Sequence, residues 1–180
     1  MNKPSERIRA ITKISLMTAL MCVSALIYIP TVVPITLQTL VLYFSLLYIG
    51  GRGTSVVTAL YIFIGAVGLP VFSGFSGGVG RLFDASGGFI FGMLAAALIW
   101  WLLEKILPFK IKARQVILCS ASLAVLYICG TLWYAFVYLG GSGGLIPALT
   151  VCVLPFIVPD AVKIALAYIV SKKISKIFQN

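Results

Sequence analysis

The chain has 180 residues, of which 61% are hydrophobic and 10% are charged. A soluble domain is about 45–50% apolar and about 25% charged, so this composition excludes an ordinary water-soluble fold and indicates a protein embedded in a lipid bilayer. The formal net charge of +10 is typical of basic loops at a membrane surface and does not require nucleic acid as a partner.

Apolar runs, separated by glycine, proline and charged residues, predict six transmembrane helices. A bilayer core about 30 Å thick needs about 20 apolar residues per crossing, so the chain has room for about six crossings and for no separate catalytic domain. We therefore expect an all-α integral membrane protein whose residues 1–180 form a single membrane domain. The predicted helices are 10–27, 37–49, 54–69, 87–107, 116–138 and 160–177.

The first helix follows a short basic segment, and no convincing small-residue cleavage site precedes Pro30, which favours a retained helix over a signal peptide. Ser15 and Ala19 place two small side chains on one face of this helix, where another helix can approach closely. Internal packing and the docking of another membrane subunit both remain open for this face.

The second helix is short for its bilayer, so we expect the following glycine-rich turn or neighbouring helices to cover its end. Thr36 and Gln38 stand at its beginning. They are candidates to point hydrogen-bonding groups into a pocket at the outer side, with Gln38 the better ligand contact. A helix-capping role is the alternative for Thr36.

Two long connections, 70–86 and 139–158, are predicted on the outer side. Both are rich in glycine, which frees the backbone for turns, and the first contains Phe72 and Phe75. These features suggest a lid over a pocket, with the two aromatic rings as apolar surface. Ordinary flexible loops are the alternative.

Lysine and arginine predict the orientation, because cytoplasmic loops collect these residues. With both termini in the cytoplasm, all of them except Arg81 and Lys163 lie on the inner side. Asp84 and Asp160 join these two on the outer side. Ionisable groups at membrane depth cost about 2.5–3.5 kcal/mol each and tend to face cavities, so we predict that these four residues form an outer substrate-binding cluster.

Asp160 and Lys163 share one face at the beginning of the last helix, where the helix dipole also favours the carboxylate. Their apolar surroundings make charge costly, which favours a binding role over a surface ion pair. Arg81 and Asp84 have the same spacing in a loop, where a structural salt bridge is an equal alternative.

Catalysis is poorly supported, because the sequence has no histidine, no nucleophile elbow and no metal-ligand cluster. The four cysteines have no CxxC spacing, and the glycine-rich segment 74–80 lacks the spacing of a P-loop. We expect no enzyme, no metal and no cofactor in this chain, and ATP-driven transport would need ATPases on other chains.

Four segments, together covering much of the chain, resemble the BioY family, the biotin-specific S components of energy-coupling factor (ECF) transporters. They are VPITLQTL, GRGTSVVTALYIFIGAVGLPVFSG, SGGFIFG and PFIVPDAVKIALA. The order Asp-x-x-Lys at Asp160 and Lys163 matches the family's last-helix motif. The chain departs from the family pattern at Val158-Pro159, where Pro-Gly is expected, and at Asp84-Ala85-Ser86, which replaces Gly-Pro-Thr.

The resemblance implies the S-component fold and high-affinity capture of extracellular biotin for ATP-driven uptake at the bacterial cytoplasmic membrane. It implies as partners a transmembrane coupling protein, docked on Ser15 and Ala19, and two cytoplasmic ATPases, which use the ATP. In the implied pocket the ureido ring meets Asp160 and Gln38, and the valerate carboxylate meets a cation. The candidates are Lys163 or Arg81 for the carboxylate and Phe72 and Phe75 for the apolar bicycle.

Two rival interpretations from other classes remain. A membrane-embedded enzyme would use Asp160 and Lys163 as acid and base and would change its ligand chemically. A structural or assembly subunit would bind no small molecule and would tolerate alanine at Asp160. The missing histidine weighs against the first interpretation, and the outer charges weigh against the second.

Overall fold

The computed structural model describes residues 3–108, 113–141 and 144–177. Within these ranges five helices are long and apolar enough to cross a membrane. The α-helices are α1 (Lys3–Leu26), α2 (Gln38–Ala66), α3 (Gly87–Ile106), α4 (Arg114–Leu132), α5 (Leu145–Cys152) and α6 (Leu154–Ile177). A 3-10 helix (Val79–Phe83) precedes α3, and a π-helix (Trp133–Tyr138) continues α4.

The helix α2 is folded back on itself at Gly50. This residue has φ 80° and ψ 172°, a conformation outside the right-handed helix that glycine adopts readily. Gln38 Nε2 lies 2.7 Å from the Tyr61 hydroxyl, 23 positions along the chain, whereas a straight helix would separate such residues by about 35 Å. The segments 38–49 and 51–66 are therefore antiparallel neighbours.

These two segments occupy the places of the second and third predicted helices. Segment 38–49 is about 18 Å long, shorter than a bilayer core of about 30 Å. Longer helices lie beside it, since α2 as a whole contacts α1, α3 and α6. The chain has five candidate membrane crossings if α2 is counted as one helix and six if its two segments are counted separately. Six crossings therefore stay a prediction.

The structure moves two predicted helix boundaries and adds one short helix. α1 begins at Lys3, so the basic segment before residue 10 is helical. The predicted outer connection 139–158 contains α5 and the first turn of α6, which begins at Leu154 and continues through Pro159. Pro155 lies in the first turn of α6, where backbone N–H groups have no partner within the helix, whereas Pro159 lies inside α6 and removes one of its backbone hydrogen bonds.

Close packing of α3 on α4 explains the small residues of α3. A Cβ added to Gly88 would lie 2.2 Å from the Cβ of Trp133, and one added to Gly92 would lie 3.1 Å from the Cβ of Cys129. The two helices can approach this closely only because glycine has no side chain. This small-residue stripe therefore serves internal packing.

A short antiparallel β-hairpin links α1 to α2, with strands β1 (Tyr28–Ile29) and β2 (Ile35–Thr36). It was not predicted, because two-residue strands leave no alternating pattern in the sequence. The hairpin lies at the same end of the molecule as segment 67–86. We call this end the pocket end, and the opposite end, where α2 turns at Gly50, the basic end.

Candidate functional site

A pocket opens at the pocket end, between the β-hairpin and helices α2, α3, α4 and α6. The free space between its walls is about 500 Å³, including the open mouth. Mostly apolar walls with a few polar groups are typical of small-molecule sites. The apolar lining residues are Val33, Pro34, Phe89, Ile90, Met93, Leu126 and Phe156, and the polar ones are Thr36, Gln38, Thr39, Ser73, Ser86 and Lys163.

Asp160 and Lys163 form a buried ion pair beside this pocket. The distance from Lys163 Nζ to Asp160 Oδ1 is 3.1 Å. Lys163 is 7% exposed and Asp160 is 0% exposed. Thr39 Oγ1 donates to Asp160 Oδ1 at 2.8 Å and accepts from Lys163 Nζ at 3.0 Å. The Tyr127 hydroxyl donates to Asp160 Oδ2 at 2.9 Å. Both charges are thus paired and hydrogen-bonded, as burial requires.

Lys163 lines the pocket, whereas Asp160 lies behind it. An ammonium group has three N–H donors, and Thr39 and Asp160 accept two of them. The third remains for an acceptor on a bound molecule. The geometry therefore favours direct ligand contact by Lys163. For Asp160, which the sequence predicts to touch the ligand, it favours a positioning role.

Gln38 and Thr36 line the same pocket, and their side chains are fixed by mutual contacts. Thr36 Oγ1 donates to Gln38 Oε1 at 3.0 Å, and Gln38 Nε2 donates to the Tyr61 hydroxyl at 2.7 Å. That hydroxyl in turn donates to the carbonyl of Val71 at 3.3 Å. The Gln38 amide keeps one N–H and one oxygen lone pair for a ligand.

The two phenylalanines predicted to pack on a ligand lie outside the pocket wall. Phe72 is 1% exposed and packs edge-on against Tyr61, with ring centroids 5.5 Å apart. It fits against Gly65, where an added Cβ would lie 2.1 Å from the ring. Phe75 is 68% exposed and has φ 54°. Phe72 therefore supports Tyr61 from the core, and Phe75 lies at the surface.

The aromatic wall of the pocket is formed instead by Phe89 and Phe156. Their rings are stacked, with centroids 5.6 Å apart and an interplanar angle of 22°. Neither residue was predicted, because both lie in helices that are apolar on every side and so give no signal of which face turns inward. Thr39 and Tyr127 were missed because their partner, Asp160, is distant in sequence.

Arg81 and Asp84 form a second, separate ion pair. Their side chains are 39% and 43% exposed, and neither lines the pocket. Arg81 also donates to Ser76 Oγ at 2.8 Å and to the carbonyl of Ser73 at 3.3 Å. The predicted cluster of four charged residues is thus divided into a buried pair and a half-exposed pair. Arg81 orders the segment that carries Ser73, which does line the pocket.

Ser15 and Ala19 are exposed on α1, on the side opposite the buried Met17 and Met21. At 100° per residue, the two pairs lie about half a turn apart around the helix axis. The small side chains therefore face away from the helices of this chain. That surface is open to lipid or to another membrane protein.

The polar groups of the pocket are hydroxyls, one amide and one ammonium. They can donate and accept hydrogen bonds around a small molecule. Within the ranges that the structure describes, no three His, Cys, Asp or Glu side chains come close enough to hold a metal ion. The arrangement is suited to binding.

Comparison with known proteins gives a consistent result. The model of the BioY family matches residues 1–180. A relative from Thermotoga maritima, named biotin transporter BioY, is 31% identical over 94% of this chain and 97% of its own length. One from Pyrococcus horikoshii, named probable biotin transporter BioY, is 33% identical over 92% of this chain and 96% of its own.

A solved structure has the same fold. It is the crystal structure of the S-component for biotin from an ECF-type ABC transporter, which superposes with a TM-score of 0.83. The match covers 98% of this chain and 95% of that protein, at 23% sequence identity. The helical arrangement described above is therefore an S-component fold.

Proposed function

The chain belongs to the BioY family, and we propose on that basis that it is a multi-pass membrane protein that binds biotin for an ECF-type transporter. Its relatives are transporters, and it is not an enzyme. The observation that carries the proposal for this chain is the pocket itself. Its stacked Phe89 and Phe156 suit an apolar bicycle, and Lys163 and Gln38 suit the polar ureido ring.

We place the protein in the bacterial cell membrane with six crossings and both termini in the cytoplasm. The support is the position of the basic residues, because Lys13, Arg52, Lys105 and Arg114 all lie toward the basic end, far from the pocket. Segments 38–49 and 51–66 then cross as a pair, with the shorter one covered by neighbouring helices. The pocket faces the extracellular side in this topology.

Uptake then depends on other chains. We propose that a transmembrane coupling protein docks on the exposed face of Ser15 and Ala19, and that two cytoplasmic ATPases supply the energy. Small side chains on an exposed helix face let a second membrane helix approach closely. The chain itself is proposed to need no cofactor, since its task is to bind biotin and to present it for transport.

The charges of the pocket suggest how biotin is oriented. Asp160 neutralises Lys163 at 3.1 Å, so a second carboxylate placed there would leave one uncompensated buried negative charge, which is costly. A neutral acceptor has no such cost. We propose that the third N–H of Lys163 donates to the ureido carbonyl oxygen, and that the valerate carboxylate points to the mouth.

Biotin needs more room than the enclosed part of the pocket provides, because much of the 500 Å³ belongs to the mouth. The segment 67–86 borders this mouth, and Ser73 and Ser86 from it line the wall. We therefore propose that this segment moves outward to admit biotin and closes over it afterwards. Exchange of its backbone amides should slow when biotin binds.

The primary test is equilibrium binding of labelled biotin to the purified chain in detergent. Lys163→Met removes the ammonium and keeps the apolar stem, so we expect binding at least about tenfold weaker, from the loss of a charge-assisted hydrogen bond. Lys105→Met is the matched control, since Lys105 lies over the Trp101 ring at the basic end. Equal affinity in the wild type and Lys163→Met would refute the assigned role of Lys163, and no binding by the folded wild type would refute the function.

Two biotin analogues test the orientation. In 2-iminobiotin the ureido carbonyl becomes an imine that carries a positive charge when protonated, so it should be rejected where Lys163 donates. Biotin methyl ester lacks the carboxylate charge and should lose little affinity. Lys163→Met should remove most of the discrimination against 2-iminobiotin. The reverse ranking of the two analogues would place the carboxylate at Lys163.

A further inference from the structure

A groove at the basic end, remote from the biotin pocket, lies between the N-terminal half of α1 and the turn of α2. Its free space is about 770 Å³, open on one side. One part of its wall is charged and the other is apolar, so it offers two kinds of contact side by side. It is lined by Glu6, Arg9, Ala10, Lys13, Ile14, Tyr48, Ile49 and Gly53.

The charged part of the groove favours an anion. Arg9 and Lys13 are one helical turn apart, and Lys13 Nζ lies 4.9 Å from the centre of the Tyr48 ring. Among the described residues the ion pairs are Arg81–Asp84 and Lys163–Asp160, so neither cation has a carboxylate partner there. Glu6 offsets one of the two positive charges, which leaves the wall with a net charge of +1.

The apolar part of the groove favours hydrocarbon. Ala10, Ile14 and Ile49 extend it along α1 toward the middle of the molecule. Gly53 lets the Ile49 side chain pack against the backbone of α2, because a Cβ added at Gly53 would lie 3.0 Å from Cδ1 of Ile49. A small soluble anion would use only the charged part, whereas a phospholipid would use both.

We propose that this groove binds one anionic phospholipid, with its phosphate at Arg9 and Lys13 and an acyl chain along Ile14 and Ile49. Basic pockets between helices at the cytoplasmic surface are suited to such headgroups, and each Lys or Arg near an anionic surface strengthens attachment about fivefold. The site is independent of the coupling surface, since Ser15 and Ala19 lie on the opposite side of α1. It also lies far from Lys163.

The test is native mass spectrometry of the purified full-length chain, titrated with dioleoylphosphatidylglycerol and, separately, with dioleoylphosphatidylcholine. We expect one phosphatidylglycerol to bind in preference to phosphatidylcholine. The double variant Arg9→Gln/Lys13→Gln should weaken phosphatidylglycerol binding about 25-fold and change phosphatidylcholine binding little. Glu6→Gln should strengthen phosphatidylglycerol binding, because it removes the opposing charge.

Two further variants separate this site from general attraction to basic residues. Lys172→Gln/Lys173→Gln removes the same number of charges from α6 at the same end, where Lys172 also lies over a tyrosine ring, and it should change phosphatidylglycerol affinity less than about twofold. Gly53→Leu keeps the charges but displaces Ile49 from the apolar part of the groove, so it should weaken the binding of both lipids. Retained biotin binding shows that each variant is folded.

Three results would overturn the proposal. The first is equal affinity for the two lipids in the wild type. The second is an equal loss of phosphatidylglycerol binding in the α1 and α6 double variants, which would indicate a diffuse basic surface. The third is displacement of the lipid by glycerophosphoglycerol, the deacylated headgroup, which has the same phosphodiester charge but no acyl chain and would identify a soluble-anion site.

Discussion

Asp160→Asn should lower the stability of the chain by breaking its buried ion pair with Lys163. The carboxylate accepts hydrogen bonds from Thr39, Tyr127 and Lys163 in a site with 0% exposure. The amide keeps the shape but leaves the Lys163 ammonium buried without a counter-charge. Breaking a buried ion pair on one side costs about 3–5 kcal/mol. For a chain of this size each 1 kcal/mol lowers the Tm by about 2–4 °C, so we expect a decrease of about 6–20 °C.

The assay is thermal unfolding of the purified chain in detergent, followed by its tryptophan fluorescence. Asp84→Asn is the matched control, because Asp84 pairs with Arg81 at the same spacing but with a half-exposed side chain. Exposed pairs contribute about 0–1 kcal/mol. The control should therefore lower the Tm by about 4 °C or less.

A second variant separates stability from binding. Asp160→Asn/Lys163→Met removes both buried charges, and replacing both partners of such a pair is often nearly neutral. The double variant should recover most of the lost Tm and still bind biotin poorly. An unchanged Tm in Asp160→Asn, or no recovery in the double variant, would refute the argument that an uncompensated Lys163 charge causes the loss.

Three other substitutions test the core, the turn of α2 and the coupling surface. Gly65→Ala would place a Cβ 2.1 Å from the Phe72 ring, so overpacking should cost about 1–3 kcal/mol and weaken biotin binding; an unchanged Tm and biotin affinity would contradict this packing. The Glu104 carboxylate accepts a hydrogen bond from the backbone N–H of Gly51, the first residue of segment 51–66, at 3.0 Å. Glu104→Gln removes its charge, so the Tm should fall by the equivalent of about 1 kcal/mol. An unchanged Tm would show that the charge at this turn is unimportant. Ser15→Leu/Ala19→Leu should abolish co-purification with the coupling protein and leave biotin binding intact; normal complex formation would exclude this docking face.

The sequence predicted a protein of the lipid bilayer, most of its long helices and the pairing of Asp160 with Lys163 beside the candidate pocket. The extreme apolar composition left only a bilayer protein, and the predicted helix 87–107 differs by one residue from Gly87–Ile106. The pairing of Asp160 with Lys163 was also readable, because residues three apart in a helix share a face whatever the rest of the chain does. Such features depend on local spacing and on the cost of placing charge in hydrocarbon.

The remainder of the site was decided by tertiary structure. Thr39 meets Asp160 across 121 positions of sequence, and only the reversal of α2 and the packing of α6 bring them together. In water, alternating polar and apolar residues would have revealed the inward face of each helix. In a bilayer both faces of a helix are apolar, so the sequence does not show that Phe89 and Phe156 face the pocket. Arg81 was predicted in one cluster with Lys163, but the two residues belong to separate ion pairs. Contacts between residues one helical turn apart could be predicted from the sequence. Contacts between residues distant in sequence were determined by how the helices pack.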